Sequence, residues 1–147
     1  MKALVQRVAE ATVVIEGDAV GKIGQGLVIF LGIEKGDSER DLSYLLKKVA
    51  HLRIFADDKK KMNLSVQDIR GAVLVISQFT LSADCRKGNR PSFENAEKPL
   101  QAKEMYLQFI DGMRKMGITT EEGNFGAFMA VHLINDGPVT MMLDSKI

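Results

Sequence analysis

The run LVIFLGI, residues 27–33, carries no polar side chain on either face. Successive side chains of a strand point to opposite faces, so a strand that is apolar on both is covered on both and lies centrally in its sheet. LVIFLGI therefore reads as a central strand, and the rest of the chain has to supply its cover.

Upstream, residues 2–15 are rich in Val and Ala, and Glu16-Gly17-Asp18 supplies turn chemistry between Thr12–Ile15 and Ala19–Ile23. Three strands thus open the chain. Downstream, in DSERDLSYLLKKVAHLRIF (37–55), Ser38 and Asp41 have capping-box spacing, and Leu42, Leu45, Leu46, Val49 and Leu52 recur at helical spacing. An amphipathic helix is expected there. The polar stretch 56–71 reads as a loop, with Lys59, Lys60 and Lys61 diluted by Asp57 and Asp58, and AVLVISQFTL (72–81) returns to strand character. A second helix is expected from Pro99 to Met116, with Leu100, Leu107, Ile110 and Met113 as its apolar stripe and Gly117 as its stop. Two strands, Ala127–Ile134 and Val139–Asp144, close the chain on either side of Gly137-Pro138.

The order βββ-α-β-α-ββ, without repeats or linkers, predicts one domain over residues 1–147. Its class is α/β or α+β, with a mixed, largely antiparallel, curled or barrel-like sheet and two helices. Two helices cover only part of such a sheet, so the remaining apolar face calls for another layer or a second copy of the chain, and a homodimer is expected.

A 147-residue chain with 46% hydrophobic residues can bury a core without staples. A net charge of +1 and a pI near 7.8 give no global field toward nucleic acid or membrane, although a local basic patch stays open. The single cysteine, Cys85, excludes an internal disulfide, no apolar run spans a bilayer, and the first residues lack a signal sequence, which makes the cytoplasm the expected compartment.

SQFTL (77–81) follows the apolar run AVLVI, and as a continued strand it would turn polar on both faces at once. That pattern fits a strand end emerging into solvent, the alternative being the lining of a pocket. Ser77 and Thr80 have no Gly-x-Ser-x-Gly elbow around them. Of the two histidines, His51 reads as a helix-surface residue and His132 as a core or interface residue, so a catalytic triad is not expected. One cysteine and two scattered histidines offer no metal-ligand spacing, and GKIGQG and GNFGAF match neither a P-loop nor a dinucleotide fingerprint. No metal or cofactor is called for. In DCRKGNRPSF (84–93), Arg86, Lys87 and Arg90 stand near Phe93, which reads as a solvated charged loop or as a contact for a phosphate backbone and a base. Gly137-Pro138 is a hairpin turn or a placed piece of bare backbone, and the base rate of X-Pro bonds favours trans.

Taken together, QRV (6–8), SQFTL (77–81), KGNRPSF (87–93), GNFGAFM (123–129) and NDGPVT (135–140) closely resemble the D-aminoacyl-tRNA deacylase family, in register from the first strand to the last. The resemblance implies hydrolysis of the ester bond of D-aminoacyl-tRNA and of mischarged glycyl-tRNA. It also implies a homodimer with interfacial active sites, and a cis Gly137-Pro138 whose carbonyls enter the other subunit's pocket and exclude L-amino acids. By motif, Ser77 and Gln78 line the pocket, Phe125 and Met129 contact the terminal adenosine and aminoacyl end, and Arg7 braces the Gly-Pro loop. Ester hydrolysis needs donors for the developing oxyanion, for which the Phe79 and Thr80 backbone N–H groups are the candidates, and Thr80 is the candidate nucleophile, although no base is visible to activate it. The competing readings are a nucleic-acid-binding module without hydrolysis, since eukaryotic relatives are associated with DNA replication origins, and an esterase for small D-amino acid esters.

Overall fold

The computed structural model describes all 147 residues, Met1–Ile147. Its sheet is organised around β1 (Lys2–Ile15). β2 (Asp18–Ile23) and β3 (Gly26–Gly32) pair in succession with the two halves of β1, and β8 (Ala130–Asp144) pairs along nearly all of it, each antiparallel. Because β8 shares its β1 partners with both β2 and β3, it must use the opposite edge. The β1–β2 link is the two-residue turn Glu16-Gly17, with φ of 50° and 84°, the left-handed pair that so short a hairpin requires. Beyond β3 the sheet continues in parallel through β6 (Ala72–Ser77) and β7 (Thr119–Glu122).

Residues 27–33 are central, as their composition predicts. On one face Leu27, Ile29 and Leu31 join Val73 and Val75 in a core closed by Leu42, Leu45 and Val49 of α1 (Glu39–His51) and by Tyr106, Phe109, Ile110 and Met113 of α2 (Pro99–Lys115). On the other face Val28 packs with Leu74, Ile76, Val8, Val13 and Ile23. No helix covers this second face. The sheet covers it by curling, until β2 meets β7 so closely that a Cβ on Gly21 would lie 2.7 Å from the Glu122 carbonyl oxygen.

At the start of α1 the Asp41 carboxylate accepts the Ser38 N–H at 2.9 Å and its hydroxyl at 3.0 Å, which ties the first turn as the capping spacing predicts. In α2 only part of the expected stripe holds, since Ile110 and Met113 are buried but Leu100 and Leu107 are not. Leu100 is 78% exposed and Leu107 is also exposed, while Ala102, Tyr106 and Phe109 face the core with Ile110 and Met113. Two adjacent phases satisfied the same period, and packing selected the one carrying the aromatic rings.

Other segments differ from expectation as well. The stretch 56–71 is not all loop, since β4 (Phe55–Ala56) and β5 (Met62–Leu64) form a small hairpin. β7 precedes the last strand, and that strand does not stop at Gly137-Pro138 but runs through it. β1 supplies partners on both sides of the step, and the pairing shifts register between Gln6, Val8 and Glu10 to accommodate it. The Gly137-Pro138 peptide bond is cis. No helix is long and apolar enough to cross a membrane.

Candidate active site

Because β3, β6 and β7 are parallel, their carboxyl ends emerge together, with Leu31 paired to Ser77 and Val75 to Glu122. Ligand clefts form at such ends because the chain must leave the sheet there in loops. Here a cleft of about 880 Å³ opens, walled by Ser77, Gln78, Phe79 and Phe93 on one side and by Phe125, Met129 and Val131 on another. The polar end of β6 therefore lines a pocket rather than simply entering solvent.

The aromatic walls are held from behind. Phe79 and Phe93 meet edge to face with centroids 5.1 Å apart, and the ring of Phe125 lies 5.8 Å from that of Tyr106 in α2. Burial, and then the charge of Glu122, push the Tyr106 hydroxyl well above the usual phenol range, so it stays protonated and donates to the Val75 carbonyl at 2.8 Å. A core hydrogen bond thus fixes both the end of β6 and the ring under Phe125.

The strand stops at Ser77, and the chain tightens into a single 3-10 turn, Phe79–Ser82. Gln78 and Thr80 accordingly do not continue the strand face on which alternation would put them. The first backbone bond of the turn runs from Leu81 N–H to Gln78 O at 3.2 Å, so the Phe79 and Thr80 amides precede it and have no acceptor within the turn. The Thr80 hydroxyl accepts from the Gln78 side-chain amide, and neither a carboxylate nor an imidazole is bonded to it. Such a hydroxyl has no activating base.

Arg7, Gly137 and Pro138 form a second group. Arg7 Nε donates to the Asp136 carbonyl at 3.1 Å and lies 3.1 Å from its carboxylate, while Nη1 donates to the Ile54 carbonyl at 2.6 Å. Asn135, which motif reading passed over, donates from Nδ2 to the carbonyls of Arg7 (3.0 Å) and Val139 (3.1 Å) and so bridges the step. Its signal in the sequence was an Asx residue just ahead of Gly-Pro, a type that bonds nearby backbone. A Cβ on Gly137 would sit 2.8 Å from Asn135 Oδ1.

These two groups do not meet within one chain. Val131 lines the cleft, and Gly137 lies six residues further along the same extended strand, roughly 20 Å away at the strand rise. Gly137 and Pro138 are exposed.

The remaining candidates separate cleanly. His51 is exposed, with Nδ1 against the Lys47 carbonyl at 2.8 Å. His132 is exposed rather than in the core, and shares its face of β8 with the exposed Ala130 and Ile134. Cys85 is exposed, and its neighbour Arg86 is committed to Asp84 through contacts of 2.9 and 2.6 Å. Phe93 belongs to the cleft, leaving Lys87 and Arg90 on the exposed loop.

The fold and site together define a curled mixed-sheet protein with an aromatic cleft at its parallel strand ends, in which no carboxylate or imidazole is bonded to the Thr80 hydroxyl. The sequence comparisons specify the family. A profile described as D-Tyr-tRNA(Tyr) deacylase matches residues 4–144. Proteins named D-aminoacyl-tRNA deacylase from Geobacter sulfurreducens and Thermotoga petrophila are each 54% identical over 146 residues, covering 99% of this chain and 96% and 98% of theirs. Among solved structures, a c-Myc DNA unwinding element binding protein is 40% identical with a TM-score of 0.93, each chain covered to 98%. A probable eukaryotic D-amino acid tRNA deacylase shares the fold, with a TM-score of 0.83 at 14% identity and 97% coverage of both. The chain belongs to the D-aminoacyl-tRNA deacylase family.

Proposed function

We propose that residues 1–147 act as one cytoplasmic deacylase domain that cleaves the ester joining a D-amino acid, or mischarged glycine, to the 3′ end of tRNA. In this reading the enzyme is a homodimer in which each protomer's Gly137-Pro138 step completes the other's cleft. Hydrolysis of D-aminoacyl-tRNA follows from family membership. The carrying observation for the rest is the separation of roughly 20 Å along β8 between the cleft and the Gly-Pro step, which leaves the cleft to be closed by a second copy.

The surface of β8 supports that assembly. Ile134 is 55% exposed, Phe128 in the segment just ahead of β8 is 99% exposed, and β8 pairs on one edge only, with β1. A twofold axis that brings one protomer's Gly137 onto the other's Val131 passes through the midpoint of the two, close to Ile134. The exposed Ile134 side chain is the apolar group beside that axis in this reading.

A D-aminoacyl group held by its ester and α-amino group points its side chain away from the Gly137 and Pro138 carbonyls. The L-enantiomer exchanges side chain and α-hydrogen and drives carbon into them. Glycine, with nothing to clash, is cleaved as well. Phe125 and Met129 offer apolar surface to the terminal adenosine and aminoacyl end, and Ser77 and Gln78 offer polar contacts. Water attacks the carbonyl carbon, the Phe79 and Thr80 amides stabilise the oxyanion, and the C–O bond to the ribose breaks as the ribose oxygen takes up a proton. A terminal ribose hydroxyl of the tRNA assists, since no protein base stands beside Thr80.

Side-by-side hydrolysis of D-tyrosyl-, L-tyrosyl- and glycyl-tRNA tests this function. Cleavage of the first and third but not the second is expected. Equal cleavage of both enantiomers would remove the carbonyl wall, and RNA or DNA binding without cleavage would leave a binding module.

A further inference from the structure

The exposed face of α1 is a concave basic surface outside the aminoacyl cleft. Tyr44, Lys47, Lys48, His51, Leu52 and Arg53 line a depression of about 440 Å³. Their spacing explains it: Tyr44, Lys47, Lys48 and His51 fall on one helical stripe, opposite the Leu42, Leu45 and Val49 stripe that enters the core. Three permanent cations stand there without a carboxylate in the lining, and none of them forms an ion pair, in a chain whose net charge is only +1. Asp68, whose carboxylate accepts the Ser65 N–H at 2.8 Å, is close enough to feel Arg53 and His51 but does not line the depression. Lys48 lies over the exposed Tyr44 ring at 5.6 Å. Arg53 Nε donates to the Asn63 carbonyl at 2.9 Å and so ties this face to the hairpin carrying Lys59, Lys60 and Lys61.

The surface is also coupled to the Gly-Pro loop. One guanidinium, that of Arg7, bonds the Ile54 carbonyl next to Arg53 and the Asp136 carbonyl next to Gly137. The basic depression therefore adjoins the step that, on the reading above, enters the partner's cleft.

We infer that this face of α1 binds the phosphodiester backbone of the tRNA acceptor stem, so that a tRNA whose 3′ end lies in one protomer's cleft rests its stem on the protomer supplying Gly137-Pro138. A duplex backbone needs cations at intervals and no base-specific donors, which is what a lysine stripe with one arginine offers. This rests on the proposed function for the direction of the tRNA, but not for the binding itself.

The test uses the whole protein and uncharged tRNA, with Kd measured across a salt series for the wild type, for Lys47→Glu/Lys48→Glu, and for Lys47→Ala/Lys48→Ala/Arg53→Ala. Hydrolysis of D-tyrosyl-adenosine, which has no stem, is followed in parallel. The variants should bind tRNA about tenfold or more weakly, and the salt slope should fall by about two to three, near one per lost phosphate contact. Hydrolysis of the nucleoside ester should be unchanged. Unaltered Kd and slope, no measurable tRNA binding by the wild type, or equal losses on tRNA and nucleoside would overturn the inference. Absence of ester hydrolysis in the wild type would sink the proposed function instead, and the Kd comparison would still decide this one.

Discussion

Arg7 and Asp136 are joined twice, through the Asp136 carbonyl and through its carboxylate, each 3.1 Å from Arg7 Nε. With Nη1 on the Ile54 carbonyl, a single side chain from the middle of β1 fixes the approach to Gly137-Pro138. A planar guanidinium can hold three acceptors in a fixed fork and an ammonium cannot.

Arg7→Lys and Arg7→Ala should therefore both loosen the step. The expected outcome is a smaller ratio of D- to L-tyrosyl-tRNA cleavage, with Lys little better than Ala. Loss of charged hydrogen bonds from a half-buried group should also cost about 1.5–3 kcal/mol in urea unfolding. An unchanged D/L ratio in a folded Arg7→Ala protein would detach Arg7 from selectivity.

Ile134→Asp places a charge beside the proposed axis. Sedimentation should show a single-chain mass, and deacylation should disappear with the dimer. Complementation gives a sharper readout: mixing Gln78→Ala, damaged in the cleft, with Arg7→Ala, loosened at the loop, should give roughly a quarter of the sites both an intact cleft and an intact loop after subunit exchange, read as a D/L ratio above that of Arg7→Ala alone. No recovery would mean that cleft and loop serve the same chain's site.

Thr80→Val removes a hydroxyl whose only bonded partner is the Gln78 amide and keeps the backbone N–H. The D-tyrosyl-tRNA activity should stay within about tenfold of wild type, because losing a nucleophile costs far more. Abolished turnover in a folded protein would make Thr80 covalent chemistry the mechanism.

Asp41 gives the fold an acid limit. Its carboxyl is lowered from 3.8 to about 2, first by the Ser145 hydroxyl, which donates to it at 2.6 Å, and then by the Ser38 N–H and hydroxyl. A depressed carboxylate stabilises the folded state above its unfolded pKa, so this contribution is complete above about pH 4 and fades as pH falls toward about 2. Asp41→Asn should flatten the loss of urea midpoint over that window and leave the slope at neutral pH alone.

The local rules were legible wherever a segment's own chemistry decided its structure. Residues 27–33 announced a central strand because both faces were apolar. Ser38 and Asp41 announced a helix start, Glu16-Gly17 a tight turn, and five short motifs a family. Asparagine at 135 was visible only as a turn residue, because its carbonyl partners lie on another strand and across the step.

What only the tertiary structure decided were relations between distant segments. The phase of α2 depended on which stripe met the sheet, so Leu100 and Leu107 lost to Tyr106 and Phe109. β8 runs on through Gly137-Pro138 because β1 pairs with it before and after the step, a partnership that no local propensity contains. Ser77 and Phe125 wall one cleft because parallel β6 and β7 bring their carboxyl ends side by side, while Gly137, on the same strand as Val131, is kept away from it by the length of an extended chain. Sequence periodicity determines which face of an element is apolar, whereas the pairing of strands across the sheet determines which ends meet, and the site is made of ends that meet.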